Sequence, residues 1–89
     1  MTTRKVTVIS QEGLHMRPAG LFSKAAKAHD ECEITVKFKG NEINAKSVMR
    51  IMMAGINNGS EIEIAVDGGN EQAVLDELCT MIETDFGRG

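Results

Sequence analysis

The sequence predicts an α+β fold in which a four-stranded, largely antiparallel sheet carries helices on one face. Two observations lead there. Apolar spacing alternates between period two and helical period in the order βαββαβα, and the two central strands are joined by a turn too short for a crossover. Such a connection makes neighbouring strands antiparallel and argues against a doubly wound parallel sheet.

The elements follow in order. Lys5 to Ile9 is rich in β-branched residues and alternates around Val6 and Val8, which predicts a strand closing at Glu12-Gly13. Pro18 belongs in a first helical turn, and Phe22, Ala25, Ala26 and His29 recur behind it at helical spacing, so a helix begins close to His15. Ile34, Val36 and Phe38 alternate with polar residues, Gly40-Asn41 tolerates positive φ, and Ile43 and Ala45 resume the alternation, predicting a hairpin. Ser47 is an N-cap candidate for a two-turn helix from Val48 to Ala54, with Gly55 behind it. Asn57-Asn58-Gly59 is a turn, Ile62, Ile64 and Val66 make the fourth strand, and Asp67-Gly68-Gly69 closes it. Asn70 then caps a helix whose stripe is Val74, Leu75, Leu78, Met81 and Ile82, with Glu71 in its first turn.

The 89 residues suit one domain, 1–89, with one core; 42% are hydrophobic and 26% charged, as in ordinary globular chains. A net charge of -3 and three aromatic residues, all Phe, leave little for phosphate neutralisation or base stacking, so direct nucleic-acid binding is set aside. The sequence offers no signal-peptide pattern and no membrane-spanning stretch, and Cys32 and Cys79 show no CxxC or CxxH spacing. The expectation is a cytoplasmic protein with two reduced core thiols, no cofactor and no membrane insertion. His29 reads as a surface histidine, with no third residue at useful spacing for a metal.

The segment Gly13-Leu14-His15-Met16-Arg17-Pro18-Ala19-Gly20 carries the chemistry. A helix start leaves backbone N–H groups without intrahelical partners and so attracts anions. Neutral imidazole is nucleophilic near pH 7, and a phosphoryl group on it would sit over those N–H groups beside the Arg17 guanidinium. On His-Arg spacing alone the default is plainer: a polar side chain at a helix entrance and a solvated cation. Pro18 ties His15 to the anion-binding end without identifying the anion.

These residues resemble the histidine-containing phosphocarrier (HPr) family of the bacterial phosphoenolpyruvate-dependent sugar phosphotransferase system. Gly13 to Ala19 is similar to the family's active-site signature, and Ala45-Lys46-Ser47-Val48-Met49 to its second signature. The resemblance covers essentially the whole chain. It implies an open-faced β-sandwich, four antiparallel strands with three helices on one face. It also implies that His15 is phosphorylated on Nδ1 and that Arg17 stabilises the phosphoryl group. Phospho-enzyme I would be the donor and sugar-specific enzyme IIA proteins or domains the acceptors, making the chain a carrier rather than a turnover enzyme. Met16, Gly20 and Arg50 depart from common family residues, which bears on partner affinity.

Ser47 reads first as an N-cap; the resemblance adds regulatory phosphorylation by an HPr kinase/phosphorylase and binding to a catabolite-control transcription regulator. The short helix can bury Val48, Ile51 and Met52, leaving Met49 and Met53 exposed as adaptable docking residues. With Met16, Gly20, Val48 and Arg50 they form the expected partner surface, rimmed by Arg17, Lys24, Lys27 and Arg50. Two alternatives stand beside the sugar carrier: a mainly regulatory module acting through Ser47, and a carrier in a nitrogen-related phosphotransferase chain.

Overall fold

The computed structural model describes residues 1–87. Its elements are β1 (Thr2–Thr7), α1 (Met16–Lys27), β2 (Glu33–Phe38), β3 (Asn41–Asn44), α2 (Val48–Met53), β4 (Glu61–Asp67) and α3 (Glu71–Glu83), followed by a short 3₁₀ turn, Asp85–Gly87. The strands form one antiparallel sheet in the order β1-β4-β2-β3. Three helices cover one face, and the other is open.

Strand alternation decides which face is which. Val6, Ile34, Val36, Phe38, Ile62, Ile64 and Val66 point under the helices and are buried. On the open face the register sets Lys5 opposite Glu63 and Glu63 opposite Lys37, so unlike charges neighbour one another across three strands. Helical periodicity supplies the other half of the core: Phe22 and Ala26 from α1, Ile51 from α2, and Val74, Leu75, Leu78, Cys79 and Ile82 from α3. Phe22 is fully buried and Phe38 nearly so, while Phe86 packs against the core, so no aromatic ring lies on the open sheet face to stack a base. Among the described residues, no helix is long and apolar enough to cross a membrane.

Several boundaries differ from the sequence prediction for identifiable reasons. β1 starts at Thr2 rather than Lys5, because β4 is long enough to pair with Thr2 through Thr7. Beyond Thr7 the pairing becomes a loop clamp, Val8 N–H to Ser60 O at 2.8 Å and Gly59 N–H to Val8 O at 2.7 Å. The hairpin turn is Lys39-Gly40, one residue earlier than predicted. Phe38 pairs with Asn41, so the two residues between them take the positive φ values, 50° and 81°, that a two-residue hairpin demands. α1 ends at Lys27, which leaves His29 in the following loop, where its Nε2 lies 3.0 Å from Glu77 Oε1. Asn70 occupies the N-cap position of α3 without a side-chain bond; Glu71 Oε2 instead accepts the Gly68 N–H at 2.8 Å.

Candidate phosphoryl-binding site

The chain reaches His15 through a close backbone approach. Gly13 has φ 69°, and its missing Cβ lets it lie directly against Ile56 and Asn57; Leu14 N–H then bonds Ile56 O at 2.9 Å. Leu14 is fully buried and anchors the segment. His15 follows in extended geometry as the N-cap residue of α1, yet its side chain makes no cap bond. The ring turns instead toward the β4-side loop, where Nε2 lies 3.1 Å from Asn57 Oδ1.

Met16 adopts φ 50°, a left-handed conformation that costs a non-glycine residue on the order of 1–2 kcal/mol. That bend swings the chain from the extended His15 into the helix and leaves the Met16 side chain 69% exposed. Pro18 is buried in the first turn, where its missing N–H costs nothing. The N–H groups of Met16 and Arg17 have no intrahelical acceptor and Pro18 has no N–H to offer, so the end of α1 facing His15 carries partial positive charge. Arg17 is exposed, and among the described residues no carboxylate forms an ion pair with it.

The second signature also folds as its residue types dictate. Ser47 is the N-cap of α2, and its Oγ accepts the Arg50 N–H at 3.3 Å. Ile51 is fully buried, and Val48 and Met52 pack partly into the core. Met49 and Met53 are 63% and 79% exposed. They and Arg50 line an open groove of about 520 Å³ between α2 and the β2–β3 hairpin, floored by Phe38 and Ile43. α1 packs against α2, so Met16, Arg17 and Gly20 on one helix and the exposed methionines on the other belong to a pair of neighbouring helices.

Other expected members lie elsewhere. Lys24 and Lys27 sit in the last turn of α1, roughly 12–17 Å along the helix from its first residue, where they complement the negative end of the dipole rather than rim His15. Both cysteines are free and buried, and burial pushes each thiol above its ordinary range; Arg4 opposes the shift at Cys79. Among the described residues, no cluster of His, Cys, Asp and Glu could hold a metal ion.

Sequence reasoning missed two side chains. Asn57 was legible only as a turn residue, because nothing in the spacing ties it to a histidine 42 positions away. Lys46 was read as part of a signature; its Nζ donates to His29 O at 2.9 Å and Cys32 O at 2.7 Å, tying the α1–β2 loop to the segment before α2.

An open-faced sandwich that displays one imidazole at a helix entrance is the architecture of a small phosphocarrier. The family model described as "PTS HPr component phosphorylation site" matches residues 2–84. The chain belongs to the HPr family of phosphocarrier proteins of the phosphotransferase system. It is 37% identical over 84 residues to the phosphocarrier protein HPr of Haemophilus influenzae, covering 94% of this chain and 98% of that protein. It is also 35% identical over 85 residues to the HPr-like protein Crh of Halalkalibacterium halodurans, covering 96% of this chain and all of that one (100%). The crystal structure of HPr-C-His from Thermoanaerobacter tengcongensis superposes with a TM-score of 0.94 at 31% identity, covering 100% of this chain and 99% of that one.

Proposed function

We propose that His15 accepts a phosphoryl group on Nδ1 from phospho-enzyme I and passes it to enzyme IIA proteins or domains in the cytoplasm, the chain serving as carrier rather than as a turnover enzyme. The observation that carries this reading is the placement of the His15 ring at the N-cap of α1 without a cap bond, which leaves the helix N–H groups free for an anion. In the transfer the Nδ1 lone pair forms a bond to phosphorus as the bond from phosphorus to the donor breaks, the donor atom keeping that electron pair. The same exchange in reverse sense delivers the group to the acceptor. Arg17 and the N–H groups of the first turn offset the charge of the phosphoryl oxygens.

Incubation with phosphoenolpyruvate and enzyme I, read by intact mass and acid lability, tests this. The wild type should gain one acid-labile phosphoryl group and His15→Ala none. A gain that persists in His15→Ala rules the assignment out. Running donors from a sugar chain and from a nitrogen-related chain side by side decides which one the protein serves.

A second reading concerns Ser47. Ser47 is half-buried at the start of α2, and its hydroxyl accepts a single backbone N–H. The likeness to a Crh protein supports regulatory phosphorylation there by an HPr kinase/phosphorylase, with a catabolite-control transcription regulator recognising the product. ATP and that kinase should add an acid-stable phosphate that Ser47→Ala lacks; equal labelling of the variant rejects the site.

A further inference from the structure

Asn57 is held with unusual firmness for a residue in an exposed turn. Its N–H donates to Ser60 Oγ at 3.1 Å and its carbonyl accepts the Ser60 N–H at 3.0 Å, so the turn is closed at both ends. The turn is in turn clamped to the strand extension by Val8 N–H to Ser60 O and Gly59 N–H to Val8 O. On its other flank the Ile56–Asn57 backbone rests on Gly13, and Ile56 O receives the Leu14 N–H. The same backbone approach that delivers His15 therefore fixes Asn57 in front of it. Oδ1 lies 3.1 Å from Nε2.

We infer that Asn57 is a positioning residue for phosphoryl transfer, fixing His15 in the tautomer that carries its proton on Nε2 and presents the Nδ1 lone pair to the incoming phosphorus. With the Asn57 amide turned so that Oδ1, which can only accept, faces the ring, Nε2 is the donor, and a neutral imidazole has one N–H to give. The other nitrogen is left as the nucleophile.

The bond also acts during the reaction. Attack by Nδ1 while Nε2 keeps its proton places positive charge on the ring as the N–P bond forms, and a hydrogen bond from a charged donor is stronger than one from a neutral donor. The Asn57 bond thus tightens toward the phosphorylated ring. Being neutral, Asn57 does this without the full charge of a carboxylate, which would also stabilise the unphosphorylated imidazolium and withdraw the nucleophile at neutral pH.

This inference rests on the carrier reading, and its test separates the two. Ring ¹⁵N shifts of His15 in the unphosphorylated protein report the tautomer directly, whatever the partner chemistry. The wild type should show a protonated Nε2 and an unprotonated Nδ1, and Asn57→Ala a mixture of both tautomers. In the enzyme I reaction, Asn57→Ala should accept phosphoryl groups on the order of tenfold more slowly. Asn57→Asp should keep the tautomer and move the pH midpoint of acceptance upward. Asn58→Ala, in the same turn, should match the wild type in every readout. Wild-type ring shifts in Asn57→Ala, or equal slowing by Asn58→Ala, would overturn the role of Asn57. Failure of the wild type to accept from enzyme I would instead remove the carrier reading, with the tautomer still decided by the ¹⁵N shifts.

Discussion

A Cβ on Gly13 would run into the carbonyl oxygen of Ile56, the same oxygen that accepts the Leu14 N–H at 2.9 Å. The obstacle is backbone, which cannot rotate away as a side chain can, and φ at Gly13 is 69°. Gly13→Ala should therefore destabilise the fold by on the order of 2–4 kcal/mol, adding left-handed strain to a steric clash. Because the same contact delivers His15 to Asn57, acceptance from enzyme I should fall too. A denaturation midpoint within error of the wild type would show that the loop yields freely.

Gly20 presents the opposite case. It lies within α1 with no left-handed φ, and a Cβ there would meet nothing within 4 Å. Gly20→Ala should stabilise the protein by about 1 kcal/mol through backbone entropy alone. Urea denaturation measures that gain. Steady-state kinetics with enzyme I then show whether the bare helix face serves a partner: a raised KM at unchanged kcat marks close approach, and unchanged constants leave Gly20 without a docking role.

Met49 and Met53 lie on α2 with most of their surface in water, so they contribute little to the core. Replacing both by Gln keeps side-chain length and helix propensity while removing the apolar surface. Stability should stay within about 0.5 kcal/mol of the wild type. The KM for the carrier in the enzyme I reaction should rise several-fold with kcat little changed, the pattern of lost uniform binding. Wild-type kinetics in the double variant would place docking elsewhere.

How far the sequence could be read depends on what each residue does locally. Alternation and helical spacing revealed all seven main elements, because burial on one face is written into neighbouring positions. The cap at Ser47 and the exposure of Met49 and Met53 were legible for the same reason. The left-handed Met16 was not, since no turn residue marks it; the conformation is imposed by joining an extended His15 to a helix. Asn57 escaped because its function comes from a backbone contact between the turn before β4 and the segment before α1, a pairing that no local pattern encodes. Glu71 was read as a charge favouring the helix dipole, whereas its oxygens also accept the Gly68 N–H and the Thr2 hydroxyl and so tie the start of α3 to the preceding turn and to β1.

Ser23 is buried in α1 at 1% exposure, and among the described residues its Oγ has no hydrogen-bond partner. A hydroxyl desolvated without compensation opposes folding, and Ala is the better helix former. Ser23→Ala should be neutral or stabilising by up to about 1 kcal/mol, with phosphoryl acceptance unchanged. A clear loss of stability would reveal a partner for that hydroxyl.

Glu71 ties three elements together at the end of the sheet remote in sequence from His15. Oε2 accepts the Gly68 N–H and Oε1 accepts the Thr2 hydroxyl, both at 2.8 Å, and the Met1 amino group lies 3.3 Å from Oε1. The Gly68 bond first, and the Thr2 bond second, hold the carboxyl below the usual glutamate range. A folded pKa depressed below the unfolded value means that ionised Glu71 favours the folded state. The contribution is complete above the unfolded value, about 4.3, and is lost as pH falls through the folded one. Glu71→Gln removes the charge and, like the protonated acid, keeps one carbonyl acceptor where the carboxylate offers two, so it should be less stable than the wild type at pH 7. Glu31, also held low chiefly by a backbone hydrogen bond, is present in both proteins and so cancels from their difference. Urea midpoints measured from neutral pH down to strongly acid conditions should therefore converge, and a gap that stays constant over the whole range would mean that Glu71 acts by shape and not by charge.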